Sequence, residues 1–163
     1  IPQFPASTYE VGVRIKFIEE HVRFHTEECG LNLDPDFQRA HVWTPEQQTA
    51  YVEYLLQGGE VAKTLILSCR KWRECNPEDY VLVDGKQRLN AVRGFMRNEV
   101  SVFGKCKREI DMVGLNARIY WRVVEVDTQE DAMRLYLSLN CGGTPHTPAE
   151  LDKVREMLQQ GTK

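Results

Sequence analysis

At 163 residues the chain has the length of one domain, enough to bury roughly two-thirds of its unfolded surface. With 42% hydrophobic and 28% charged residues it reads as an ordinary soluble globular protein, and a net charge of −3 excludes a global pull toward nucleic acid, so any DNA contact must come from a local basic patch. No apolar run approaches the roughly 20 residues of a membrane span, no signal peptide is visible, and five scattered cysteines without C-x-x-C spacing point to reduced thiols in a cytoplasm, not to a zinc site or a disulfide framework.

Residues 1–8, with two prolines and small polar residues, read as a lead-in to a single domain over residues 9–163. The chain opens at Ile1 without Met, as a trimmed chain or part of a longer protein would. Residues 9–13 suit a short strand. Over residues 14–28, Ile15, Ile18 and Val22 recur at helical spacing, with Gly30 as the stop. His21 and His25 lie one turn apart on that helix, a metal-ligand spacing, but no third ligand is indicated and packing is the expected role. Leu31-Asn32-Leu33 predicts a short strand leading into Pro35 and then Phe37-Gln38-Arg39. The next helix is announced by Thr44 as N-cap, Pro45 at its first position and Gln47 three after the cap. It turns Tyr51, Val52, Leu55 and Leu56 inward and stops at Gly58-Gly59. Residues 64–69 form a buried-strand run, and residues 70–79, with Asn76-Pro77, an exposed loop.

The chain is organised around Val81-Leu82-Val83-Asp84-Gly85-Lys86-Gln87-Arg88. Residues 80–83 predict a buried strand, and from Gly85 the pattern becomes helical, with Leu89, Val92 and Met96 on one face as far as about Asn98. Asp84 is placed to cap that helix, with Gln87 completing a capping box. Lys86 and Arg88 add two cations where the helix dipole is already positive, which local stability does not explain and a bound phosphate would; the alternative is an ordinary capped helix with two solvated basic residues. Beyond it, residues 100–103 suggest a short strand, and residues 104–114 an irregular basic stretch with Lys105, Lys107 and Arg108. Residues 117–126 give the longest strand signal; Thr128 caps a helix through Ala132, Leu135, Tyr136 and Leu139. Asn140-Cys141-Gly142-Gly143 is a glycine turn, and Thr147 with Glu150 opens a last helix carrying Leu151, Val154 and Leu158. The expected class is α+β: a small mixed sheet with helices packed over it.

Three segments carry a family resemblance. Asp84-Gly85-Lys86-Gln87-Arg88 resembles an Asp-Gly-Gln-Gln-Arg signature, Pro35-Asp36-Phe37-Gln38-Arg39 with Val42-Trp43 a Pro-x-x-Gln-Arg-x-x-Val-Trp segment, and Asn140, Gly142-Gly143 and Glu150-Leu151 an Asn-x-x-Gly…Glu-Leu ending. These motifs are those of the GmrSD-type restriction enzyme N-terminal domain family, within the ParB/sulfiredoxin-like superfamily. Lys86 departs from the pattern, standing where the family has its first Gln.

Two Gln-Arg pairs beside strand ends suit a polyphosphate held by two guanidinium forks; the alternative is that Arg39 and Arg88 bridge Asp36 and Asp84. The resemblance favours the phosphate pocket. It implies a nucleoside triphosphate held by Gln38, Arg39, Gly85, Lys86, Arg88 and Asn140, with Asp84, Gln87 and Arg88 as candidate catalytic residues and Asp84 as a candidate ligand of a phosphate-bridging Mg2+. Asn140 with Gly142-Gly143 reads equally as a second cradle or as a simple glycine turn. Trp43 and Phe37 read as core anchors, and no Ser-His-Asp or Cys-His nucleophile is arranged. The resemblance implies work in DNA metabolism or in phage–host conflict, in a bacterial or phage-infected cytoplasm, with a nuclease subunit or host factor as protein partner. Restriction enzymes of this kind carry a separate His-Asn-His nuclease region, whose pattern is missing from this sequence, so DNA cleavage by this chain alone is not expected. The alternatives are a non-catalytic DNA-binding module, or an inhibitor acting through protein contacts.

Overall fold

A computed structural model describes residues 7–38, 43–111, 116–140 and 155–159. Four strands, β1 (Ser7–Arg14), β2 (Thr64–Arg70), β3 (Glu78–Asp84) and β4 (Arg118–Glu125), form one sheet in the order β1-β4-β2-β3. The β1–β4 and β2–β3 pairs are antiparallel and β2–β4 is parallel, so the sheet is mixed. The helices are α1 (Ile18–Glu27), α2 (Pro45–Leu56), α3 (Lys86–Met96) and α4 (Gln129–Asn140), and residues 155–159 are also helical. The expected α+β class holds.

Strand alternation sorts side chains onto two faces. On one face Val13, Leu65, Leu67, Tyr80, Leu82, Ile119 and Trp121 meet Ile18 and Val22 of α1, Val52 and Leu55 of α2, and Leu89, Val92 and Phe95 of α3. On the other, Val81, Val83 and Val124 meet Ala132, Met133, Leu135 and Tyr136 of α4, with Phe37 added from the connecting segment. β3 is therefore buried on both faces from Tyr80 to Val83, as its unbroken apolar run requires. Apart from Val124, the part of the second face formed by β1 and β4 lies outside that core. It carries Glu10, Gly12 and Arg14 opposite Arg122, Tyr120 and Arg118.

The α2 start follows its sequence signature completely. The Gln47 amide donates to Thr44 Oγ1 at 3.3 Å, the Thr44 amide donates to Gln47 Oε1 at 2.9 Å, and Pro45 fills the first turn. Thr128 likewise accepts from the Asp131 amide at the start of α4, at 3.2 Å. Two short strands do not form. Residues 31–33 are reduced to a bridge from Asn32 to Val81, and residues 100–103 to one from Val102 to Lys105, because each run is too short to extend a ladder. The loop of residues 70–79 holds a 3-10 turn at Trp72–Glu74 and gives its last two residues to β3; another such turn, Lys107–Glu109, lies in the basic stretch. α3 ends at Met96, two residues before the expected stop, with Asn98 in the left-handed region at φ 64°. Thr147, the expected start of the last helix, lies outside the described residues.

Candidate functional site

The β3–α3 turn brings the sequence-predicted residues to the sheet's edge. Asp84 ends β3, still paired with Ile66 of β2, and the chain reverses at Gly85 with φ 100°. A Cβ at Gly85 would lie 2.5 Å from Leu65 Cδ2 and 3.3 Å from Leu65 Cα, so both the backbone conformation and the approach to β2 demand glycine. This overturns the expected cap. Gly85, not Asp84, is the N-cap of α3, and no side chain caps it. Pairing with β2 holds Asp84 one residue too far back, and its carboxylate instead accepts from Arg88 Nη2 one helical turn on.

The expected capping box fails for a similar reason. Gln87 Oε1 accepts the Trp43 amide at 2.9 Å, tying the α3 start to the entrance of α2. Gln38 Nε2 donates to the carbonyl of Val83 at 3.0 Å, immediately before Asp84. Thus the first Gln-Arg motif does reach the second, and both glutamines fasten backbone. Gln38 Oε1 is buried and has no hydrogen-bond partner among the described residues, a cost of roughly 1–3 kcal/mol that a donor placed beside it would relieve. Lys86 Nζ pairs with Asp34, so both cations of the first turn have carboxylate partners.

Arg88 also borders a cleft of about 260 Å³ lined by Lys63, Thr64, Tyr120, Arg122, Glu10 and Glu60. Arg122 pairs with Glu10, Lys63 with Glu60 at 2.8 Å, and Lys63 Nζ stands 5.5 Å from the centre of the Tyr120 ring. Three cations and an aromatic ring thus surround a space that holds two carboxylates, an arrangement suited to an anion with a flat group attached. None of Lys63, Tyr120 or Arg122 stands out in the motifs. The legible signal was the polar alternation Arg118, Tyr120, Arg122 along β4, which marks one strand face as uncovered.

Beneath the turn, Trp43 and Tyr51 meet edge to face at 5.4 Å, and the Tyr51 hydroxyl donates to Ala62 O at 2.8 Å. Burial drives the Tyr51 pKa upward against the opposing pull of Arg88, so the phenol stays neutral. Trp43 and Phe37 are core anchors, as expected; Phe37 packs on Tyr136. His21 and His25 are packing residues as well. His25 is buried, its Nδ1 lies 3.0 Å from the Tyr80 hydroxyl, and that oxygen accepts from Trp121 Nε1 at 2.8 Å. Burial, with the neighbouring His21 second, lowers the His25 pKa to about 4. Among the described residues no three His, Cys, Asp or Glu side chains form a metal-binding group.

Arg39, Gly142 and Gly143 lie outside the described residues, as does the side chain of Asn140. The expected meeting of Arg39 and Arg88 in one cavity therefore concerns a residue beyond those described.

Residues 18–112, more than half of the chain, match the family described as GmrSD restriction endonuclease, N-terminal domain. The chain belongs to this family. The match spans both Gln-Arg motifs and the whole β3–α3 turn, while β4 and α4 lie beyond it. No curated protein matches the chain. No described helix is long and apolar enough to cross a membrane.

Proposed function

We propose that the chain is the nucleotide-responsive module of a restriction system, with the β3–α3 turn and the adjoining cleft binding the phosphates of a nucleoside triphosphate. Family membership supports the restriction setting. The observation that carries the site is the convergence of Arg88, Lys63 and Arg122 with Tyr120 on one cleft beside a helix start that has no side-chain cap. Phosphate oxygens would compete with Asp84 for the Arg88 guanidinium, which is the switchable element of the turn. Asp84 is about one-third exposed, so exchanging its partner requires no disruption of the core.

Asp84 supplies one carboxylate, which suits Mg2+ only as an ion shared with nucleotide phosphates, since that ion keeps several waters and needs few protein ligands. Bound there, the ion would neutralise phosphate charge; Asp84 would hold it, and Gln87 would keep the turn fastened to Trp43 while ligand exchanged. Calorimetric titration with each of the four nucleoside triphosphates and magnesium, paired with phosphate release, tests the reading. Arg88→Ala should weaken binding by about ten- to a hundredfold without unfolding the chain. Asp84→Asn should retain binding and lose turnover. Absence of binding by every nucleotide would overturn the proposal.

A second reading draws on the uncovered sheet face, where Arg118 and Arg122 alternate with Tyr120 beside Lys63 and Arg88. That row suits the backbone of a DNA strand, and its sign would be affinity that falls steeply with salt.

A further inference from the structure

The two edges of the sheet are treated differently. The outer edge of β3 is blocked by Asn32, whose amide donates to Tyr80 O at 2.8 Å and whose carbonyl accepts from the Leu82 amide at 3.0 Å. The outer edge of β1 has no strand neighbour among the described residues. Its sequence, Ser-Thr-Tyr-Glu-Val-Gly-Val-Arg, contains no lysine or proline; what marks the edge is a register shift between Ser7 and Tyr9 and the opposite charges of Glu10 and Arg14. We propose that this edge is a homodimer interface, with β1 of a second copy adding antiparallel across a two-fold axis at Gly12.

The register follows from the side chains. Directly opposed residues of an antiparallel pair share a face, so an axis through a residue keeps polar against polar and apolar against apolar. An axis between residues would set Glu10 or Gly12 against valine. An axis at Glu10 opposes two carboxylates, and one at Arg14 two guanidinium groups. Axes at Val11 or Val13 leave both charges unmatched. The axis at Gly12 sets Glu10 against the second copy's Arg14 twice over, and Val11 against its Val13 on the core face. The geometry at home makes the added carboxylate welcome. Arg14 stands directly across from Arg118, a like-charge pair that costs stability, and Arg14 has no ion pair among the described residues. Among the described residues Arg118 Nε donates to Asn116 Oδ1, at 3.3 Å. Val11, half-buried at the rim of the main core, would be covered by the same pairing. This inference is independent of nucleotide binding, although Glu10 places the interface at the rim of the Arg88 cleft.

Sedimentation equilibrium over a range of concentrations tests it with a charge swap. The parent should show a monomer–dimer equilibrium. Glu10→Arg alone and Arg14→Glu alone each turn both cross-strand pairs repulsive, and should weaken self-association by about tenfold or more. An equimolar mixture of the two variants restores both pairs, since one copy then carries two arginines and the other two glutamates. Heterodimers should therefore return to near the parent's dissociation constant, with their identity read by native mass spectrometry. Glu10 also pairs with Arg122, so Arg14→Glu, which removes the Arg14/Arg118 opposition, provides the variant that must fold like the parent by circular dichroism. A parent that stays monomeric, variants that self-associate as well as the parent, or a mixture that fails to recover would each overturn the proposal.

Discussion

The starts of α2 and α3 make an instructive pair. Both carry a Gln in the first turn, yet α2 is capped by its own Thr44 and Gln47 whereas α3 begins on a left-handed glycine with no side-chain cap. At α2 the Thr44 and Gln47 side chains serve the helix they begin. At α3 Gln87 and Lys86 reach other segments, Gln87 to the Trp43 amide and Lys86 to Asp34, while Asp84 pairs with Arg88 one turn on. A helix start that is satisfied locally contributes stability and nothing more. One whose side chains bind other elements depends on the tertiary fold, and keeps its positive dipole end available to an anion.

The largest test of this contrast is Gly85→Ala. Positive φ and the Leu65 contacts together should cost about 2–4 kcal/mol in urea unfolding. Thr44→Ala should cost about 1 kcal/mol, the ordinary value of a lost cap. Equal losses at the two sites would erase the distinction. Next, Asp84→Ala and Asp84→Asn should destabilise alike, each by about 1 kcal/mol, since one ion pair with a one-third-exposed carboxylate is lost. Were Asp84 a cap after all, Asn would rescue what Ala loses. The smallest effect is a pH dependence at α2. The Thr44 side chain, and then the backbone amide, hold the Glu46 carboxyl below its ordinary value near 4.5. That contribution is present above pH of about 4.5 and is lost as pH falls through the lower folded value. Hydrogen-exchange protection of the first α2 turn should decline over that range.

Much of this could be read along the chain because it depends on neighbours in sequence. The apolar run at residues 80–83 is a buried strand, the Thr44-Pro45-Gln47 signature is a capped helix, and alternation from residue 117 marks β4. The expected Asp84 cap fails because Asp84 stands three residues before Gln87 and also four before Arg88, and pairing with β2 decides for the ion pair with Arg88. The cleft was not legible either: Lys63, Arg88 and Arg122 come from three elements, and only the sheet order β1-β4-β2-β3 lays them side by side.

By itself the sequence determined where helices and strands run and which faces are apolar, since periodicity and caps act within a few residues. It also determined the family, whose motifs are contiguous. Only the tertiary structure decided what the polar residues of the turn hold. Gln87 reaches Trp43 across 44 positions, Gln38 reaches Val83 across 45, and Lys86 reaches Asp34 across 52. A polar side chain with several partners within reach takes the one that packing has already placed beside it, and no local spacing records that choice.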